Sequence, residues 1–231
     1  RYGMPADRIT VIHRGADLTQ FRPEAVGAAR LVKLQQAWGI QDDTRVILMP
    51  GRLTRWKGQA TLIEAVAKLR ERRSLSGIVV VLAGDAGKKS GYRQQLQALA
   101  RRHKLSPREV VLPGHCEDMP AAMQLAEVVL STSIEPEAFG RVMAEAGALG
   151  KPVIATAIGA APEIIVPGET GWLVPPGDAE ALAVALDEAL SLSGEQRGAM
   201  RVAAITRVRE RFSVEAMCAR TLAVYAGLLG R

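Results

Sequence analysis

Two glutamates with a Phe-Gly pair between them are the residues of this sequence whose types and spacing are best suited to chemistry. Glu137 and Glu145 are eight positions apart, and helical spacing of apolar residues begins at Gly140, after the strand-like run 127–131. Backbone N–H groups at a helix start, together with the positive end of the helix dipole, attract phosphate. Glu145 shares a helix face with Arg141 and can accept hydrogen bonds from ribose hydroxyls. The segment therefore suits a sugar nucleotide.

A second set of charged residues follows an earlier apolar run. Arg52 and Lys57 lie on a loop that leads into a predicted helix, where a guanidinium fork and an ammonium can neutralise two phosphates. The sequence contains no Asp-x-Asp, and its nearest equivalent is the segment 135–137 around a proline. A diphosphate can be stabilised by a metal ion or by fixed cations and helix starts, and the sequence predicts the second solution.

Simpler explanations exist for each of these features. Glu145 and Arg141 have the i, i+4 spacing of a surface ion pair, and Arg52, Arg55 and Lys57 can form an ordinary basic loop. The segment 84–90 is similar to a phosphate-binding loop, but it lacks the Gly-x4-Gly-Lys-Ser/Thr spacing. No Gly-x-Gly-x-x-Gly follows a predicted strand, so ATPase and dinucleotide-binding functions are disfavoured.

The elements that must position these residues are apolar runs that alternate with amphipathic ones. The runs predict strands buried on both faces, which is typical of a parallel sheet. The fold class predicted is therefore α/β, with a doubly wound, Rossmann-like parallel sheet whose ligands bind at the carboxyl ends of the strands. The charged motifs follow those strand ends, which favours a site over the simpler explanations. The predicted strands are 46–49, 78–83, 110–112, 128–130, 153–155 and 172–174.

Three further elements are predicted outside the repeated pattern. The run 9–12 predicts an additional strand, and the C-terminal region predicts two helices, 195–211 and 214–229. Ser213 suits the N-cap of the second helix, because its hydroxyl can accept a hydrogen bond from a backbone N–H of the first turn.

Composition bounds the class of protein. The chain has 231 residues, of which 48% are hydrophobic, and this is enough for one sizeable α/β domain with a buried core. The net charge of +6 is concentrated at 70–73 and 101–104, each at the end of a predicted helix, where cations complement the helix dipole. We therefore prefer helix capping to contact with nucleic acid or a membrane. The two cysteines have no zinc or redox spacing, which fits a reducing cytosol.

The motifs together resemble those of the retaining glycosyltransferases of the GT-B fold, specifically family four. Glu137 and Glu145 with Phe-Gly between them are similar to the Glu-x7-Glu motif of its donor-binding half. Three other segments resemble family motifs in the family's order: 15–23 the entry segment, 51–58 the phosphate-gripping Gly-Arg-x4-Lys-Gly, and 159–163 the Gly-Gly-x-x-Glu. Arg14, Ala86 and Ala160 depart from the pattern, which puts local turn geometry in question.

The resemblance implies roles for individual residues. Arg52 and Lys57 would contact the phosphates and act in catalysis together with Glu137, which would contact the sugar hydroxyls, while Glu145 would bind ribose. His115 and Cys116 follow the third predicted strand, where the family holds the nucleobase through backbone groups, although a histidine with only a structural role fits equally well. The donor-binding set is Gly51, Arg52, Lys57, His115, Cys116, Glu137, Ala138, Phe139, Gly140, Arg141 and Glu145. No metal ligand and no cofactor besides the donor, a UDP-sugar or GDP-sugar, are expected.

The same resemblance sets the expected organisation. Residues 1–231 correspond to the C-terminal, donor-binding domain, and we expect an N-terminal acceptor domain in a larger bacterial enzyme of lipopolysaccharide or polysaccharide biosynthesis. Its acceptor would be a saccharide or a lipid-linked molecule, without nucleic acid. We expect a cytoplasmic location, with peripheral contact at the inner face of the membrane. The alternatives are a non-catalytic nucleotide-sugar-binding module and a nucleotide-sugar 2-epimerase.

Overall fold

The fold is built around a six-stranded sheet in which every paired strand is parallel to its neighbour, as predicted. It is taken from a computed structural model that describes residues 3, 5–87 and 91–230. The strands are β1 Arg45–Pro50, β2 Ile78–Ala83, β3 Val110–Gly114, β4 Ala126–Ser131, β5 Val153–Thr156 and β6 Gly171–Val174. Their order in the sheet is β3-β2-β1-β4-β5-β6.

Helices connect the strands and cover both faces of the sheet. The helices are α1 Ala28–Trp38, α2 Gln59–Arg72, α3 Tyr92–Arg102, α4 Met119–Leu125, α5 Arg141–Ala148, α6 Ala161–Ile164, α7 Ala179–Ser191, α8 Gly194–Arg211 and α9 Val214–Leu229. One core layer lies under α2, α3 and α7, and the other lies under α1, α4, α5 and α8. Alternate residues of β1 divide between the two layers, with Val46 and Leu48 in one and Ile47 and Met49 in the other.

The C-terminal helices agree with the sequence prediction. α8 and α9 begin within one residue of the predicted positions and end at them, and the Ser213 hydroxyl accepts a hydrogen bond from the backbone N–H of Ala216 at 3.0 Å. The basic segments 70–73 and 101–104 lie at the ends of α2 and α3, as expected. Arg70 donates to the carbonyls of His103 and Lys104, so part of this charge holds the two helix ends together.

Three predictions about the elements were wrong or incomplete. Residues 9–12 form no strand, and Ile9 and Val11 are 56% and 69% exposed, because this apolar run pairs with no strand among the described residues. The edge strands are not buried on both faces, since Val111 of β3 and Trp172 of β6 are partly exposed. The helix α1 was not predicted, although Leu31, Leu34 and Trp38, which pack partly buried against the core, recur at helical spacing.

The strand order fixes where a ligand can bind. β1 pairs with β2 on one side and with β4 on the other, so the connections leave β1 and β4 in opposite directions. Sheets of this type bind ligands at the carboxyl edge beside such a reversal, between the loops after the two strands, and that position is called the crevice below. None of the helices in the described ranges combines the length and apolar character needed to cross a bilayer.

Candidate functional site

The loop after β1 places Arg52 at the carboxyl edge of the sheet. Its backbone is fixed from two sides: Leu53 N–H donates to the carbonyl of Asp85 at 2.9 Å, and Gln59, which is 1% exposed, donates through Nε2 to the carbonyl of Arg52 at 2.9 Å. Gly84 follows β2 and packs so closely that a Cβ there would lie 1.8 Å from the Gly51 carbonyl oxygen. The Arg52 side chain itself is exposed, and its guanidinium makes no hydrogen bond or ion pair with the residues that the structure describes.

The same loop is locked against the loop after β4. Residues Arg55–Lys57 form a short 3-10 turn, and Trp56 accepts a 2.7 Å hydrogen bond from Ile134 N–H through its carbonyl. Gly58 has φ 81°, and a Cβ there would lie 2.0 Å from the Thr132 carbonyl oxygen. Only glycine fits that backbone angle and that contact without strain. The position of Lys57 is therefore set by both central strands.

Lys57 and Glu137 form an ion pair across the crevice. Lys57 Nζ lies 2.8 Å from Glu137 Oε1, and the side chains are 16% and 20% exposed. The ammonium also lies 4.4 Å from the centre of the Trp56 ring, within the range of a cation–π contact. The Ser133 hydroxyl donates to the same Glu137 oxygen. Two residues that the sequence assigned to phosphate and sugar are thus in direct contact.

The backbone of Glu137 is held by the loop after β5. Ala160 N–H donates to the Glu137 carbonyl at 3.1 Å, and a Cβ on Gly159 would lie 2.5 Å from that carbonyl oxygen. Gly159 has φ 58°, so glycine is required there, whereas Ala160 has φ −79°, which any residue adopts. The departure from the Gly-Gly motif at Ala160 therefore leaves the turn intact.

The helix α5 begins where predicted, with Gly140 as its N-cap at φ 69°. A glycine cap supplies no side chain to the first-turn N–H groups, so these can bind a ligand oxygen. Phe139 is 8% exposed and packs in the core, with its ring 6.4 Å from that of Phe212, whereas Ala138 is exposed. The Phe-Gly pair therefore fixes the start of α5 against the core, through the buried Phe139 ring.

Glu145 lies one turn into α5 and is paired with Arg141. Arg141 donates to Glu145 Oε1 through Nε at 3.0 Å and Nη2 at 2.8 Å. The Arg141 side chain is 73% exposed, whereas that of Glu145 is 9% exposed. Burial raises the pKa of the Glu145 carboxyl, and the guanidinium opposes that rise. The ion pair expected from the i, i+4 spacing is thus present. It also fixes the Glu145 carboxylate, which ribose hydroxyls can reach only by displacing Arg141 or by sharing the carboxylate with it.

His115 and Cys116 are placed differently from the other predicted residues. They follow β3, which β2 separates from β1, so they lie two strands away from the crevice. His115 is exposed, and Cys116 is buried, which raises the pKa of its thiol. A long ligand along the sheet edge is needed to join them to Lys57 and Glu137. Residues 88–90 of the dismissed phosphate-loop segment lie outside the described residues.

Ser133, Trp56 and Thr156 contribute to the site but were not predicted as site residues. Ser133 is 3% exposed, and its carbonyl accepts a 2.6 Å hydrogen bond from the Thr156 hydroxyl. Trp56 contacts the Lys57 ammonium through its ring. The available signal was position: Ser133 and Thr156 each lie at or just after the end of a predicted strand.

Comparisons with known proteins agree with this architecture. A family model described as glycosyl transferases group 1 matches residues 33–207. A D-inositol 3-phosphate glycosyltransferase of Mycobacterium tuberculosis H37Rv is 33% identical over 230 residues, which is 99% of this chain and 46% of the relative. The chain thus spans about half the length of the curated relatives it matches.

Solved structures show the same fold. A glycosyltransferase from Rickettsia africae superposes with a TM-score of 0.92 at 33% identity, covering 99% of this chain and 59% of that one. Anabaena HepE, solved in complex with UDP-glucose, has a TM-score of 0.84 at 29% identity, covering 97% of this chain and 59% of that one. The fold, with its crevice between the loops after β1 and β4, defines a Rossmann-like C-terminal domain of the GT-B type. The chain belongs to the glycosyl transferases group 1 family.

The two glutamates are expected to respond differently to substitution. Glu145→Ala should weaken binding of a bare nucleoside diphosphate about tenfold or more, because it removes a charged acceptor of hydrogen bonds. Glu137→Ala should leave that affinity undiminished and weaken binding of the intact sugar nucleotide. Calorimetric titrations of both variants with UDP and UDP-glucose, or with GDP and GDP-mannose, check these separate roles of the two glutamates. Equal losses toward both ligands in both variants would refute it, and melting temperatures would reveal a folding defect at buried Glu145.

Proposed function

We propose that this chain is the donor-binding half of a retaining, metal-independent glycosyltransferase. It moves a sugar from a nucleoside-diphosphate sugar, with UDP or GDP as the nucleotide, to a saccharide or cell-envelope acceptor. The proposal combines the family membership with the chemistry of the crevice. The observation that carries it is the meeting of Lys57 and Glu137 at 2.8 Å, between the loops after β1 and β4.

The crevice offers each part of a sugar nucleotide a matching group. Arg52 and Lys57 suit the two phosphates, because a guanidinium and an ammonium can offset the negative charge of a diphosphate that no metal bridges. The glycine-capped start of α5 adds N–H groups and a positive dipole end on the opposite wall. Glu137 and Glu145 are carboxylates suited to sugar and ribose hydroxyls, and 115–116 lie further along the edge where a base would extend.

Transfer with retention follows from leaving-group assistance in this proposal. The acceptor hydroxyl approaches the anomeric carbon from the side on which the diphosphate departs, and its proton passes to a diphosphate oxygen. Arg52 and Lys57 stabilise the negative charge that develops on that diphosphate. No residue of this chain is assigned as a nucleophile. Glu137 instead orients the sugar, so that its anomeric carbon faces the acceptor.

The acceptor and the setting complete the proposal. Since the chain spans 46% of the length of the Mycobacterium relative, we propose that an N-terminal domain of a longer protein binds the acceptor. That protein is proposed to work in the cytoplasm, with peripheral contact at the membrane. The exposed apolar residues Leu222, Tyr225 and Leu228 of α9 suit contact with such a domain. Sugar transfer by the longer protein separates an enzyme from a binding module, and donor epimerisation without an acceptor identifies an epimerase.

Metal independence is tested by titration. Among the described residues, no group of three or more His, Cys, Asp or Glu side chains is placed to hold a metal ion together. We expect UDP or GDP to bind with equal affinity in EDTA and in excess magnesium, since Arg52 and Lys57 supply the counter-charge. Isothermal titration calorimetry or thermal shift measures this, and ligand at 100 times its dissociation constant adds about 2.7 kcal/mol of stability. Strict dependence on magnesium or manganese would overturn the metal-free mechanism.

A further inference from the structure

Glu137 has two partners, and one of them is also the proposed phosphate contact. Lys57 Nζ lies 2.8 Å from Glu137 Oε1, and the Ser133 hydroxyl donates to the same oxygen. Both members of the ion pair are at least four-fifths covered, with exposures of 16% and 20%. The ammonium has three N–H donors, so it can contact both groups, but a phosphate that draws Nζ towards itself competes with Glu137 for the same charge and loosens that contact.

The cost of that loosening depends on the ligand. A bare nucleoside diphosphate attracts Lys57 but brings no donor for Glu137, so it leaves a mostly covered carboxylate without its cation and close to like charge. An intact sugar nucleotide brings sugar hydroxyls, which donate to the freed carboxylate. The same ion pair thus penalises the product nucleotide more than the donor substrate.

We propose that Lys57 and Glu137 exchange partners when the intact donor binds, and that this exchange makes the site prefer the donor over its product nucleotide. The inference rests on the proposed function and deepens it, because it gives the ion pair a role in substrate discrimination and product release. After transfer, the sugar leaves Glu137, the carboxylate regains Lys57, and the nucleotide is released.

Ser133 is the positioning residue of this exchange. It is 3% exposed, its carbonyl accepts a hydrogen bond from the Thr156 hydroxyl at 2.6 Å, and its own hydroxyl donates to Glu137. When Lys57 moves to the phosphate, Ser133 keeps the Glu137 carboxylate in the orientation that the sugar hydroxyls require. Ser133 contacts the substrate only through Glu137.

Affinities of the chain for UDP and UDP-glucose, with GDP and GDP-mannose as the second pair, test the exchange. Glu137→Gln should tighten binding of the bare nucleotide about fivefold or more. The reason is that breaking a well-covered ion pair costs at least as much free energy as breaking the strongest exposed ion pairs. The same variant should weaken binding of the sugar nucleotide. Ser133→Ala should weaken binding of the sugar nucleotide alone, because the Lys57–Glu137 ion pair remains in this variant. Glu135→Gln removes the same charge from an exposed neighbour and should leave the ratio of the two affinities unchanged.

The Lys57→Met background separates exchange from simple charge repulsion. There Glu137→Gln should no longer tighten the bare nucleotide, since no ion pair remains to be broken. Tightening of the same size in that background would assign the effect to repulsion and overturn the exchange. Loss of affinity for both ligands in Glu137→Gln would overturn it too. If the unmodified chain binds neither nucleotide pair, the proposed function itself fails, and the exchange falls with it.

Discussion

The double variant Arg52→Ala with Lys57→Ala should lose nearly all affinity for a nucleoside diphosphate. Each cation can make a charge-assisted hydrogen bond to phosphate, and loss of such a contact costs about 1.5–3 kcal/mol. Because both contacts are made to the same ligand, the two losses are added, and the expected total is roughly 3–6 kcal/mol. This corresponds to about two to four powers of ten in the dissociation constant. Calorimetry with UDP and GDP measures this change.

A control variant must separate the site from bulk charge. Arg101→Ala with Lys104→Ala removes two positive charges from the exposed end of α3 and should change the affinity little at physiological ionic strength. Lys57→Met, which keeps much of the apolar stem, checks that the loss comes from removal of the ammonium and not from the space that alanine leaves. If Arg52→Ala with Lys57→Ala binds nucleotide as tightly as the unchanged chain, the phosphates lie elsewhere.

The sheet was predictable because burial on both faces leaves a mark in the sequence. The runs behind β1 and β4 are continuously apolar, as expected for central parallel strands. The same apolar-run criterion predicted a strand at 9–12 that does not form. An apolar run indicates that burial is favourable, but it does not indicate which neighbouring strand or helix provides that burial. The criterion also missed α1, whose contacts are partial along its whole length. Element type could therefore be predicted where the core demands it.

The site was predictable in its composition but not in its contacts. Arg52, Lys57, Glu137 and the start of α5 follow strand ends, and parallel strands bring such ends to one edge. The Lys57–Glu137 contact depends on the register between β1 and β4 and on how closely Gly58 approaches Thr132. These are tertiary distances between segments far apart in the chain. No local pattern encodes them, and for the same reason the role of Ser133 emerged only from the structure.

This chain alone should bind a nucleotide sugar and yet transfer no sugar at an appreciable rate, even with the correct acceptor present. Holding two reactants in attack geometry is worth about 7–11 kcal/mol of the barrier. Closure of a second domain over the crevice would also exclude water from the reacting atoms. The charged groups proposed above all suit the donor, and the Arg52 side chain is exposed instead of being enclosed by the described residues. A labelled donor and a panel of membrane-derived acceptors measure the rate.

The comparison that decides this prediction uses a longer protein with an N-terminal domain, assayed beside this chain with the same donor. Donor binding is measured in parallel, so that a misfolded sample is not mistaken for an inactive one. Turnover by the longer protein together with binding but no turnover by this chain supports the division into donor and acceptor halves. Comparable turnover by both would place the whole catalytic unit within these 231 residues. The open crevice between the loops after β1 and β4 would then have to bind the acceptor as well as the donor.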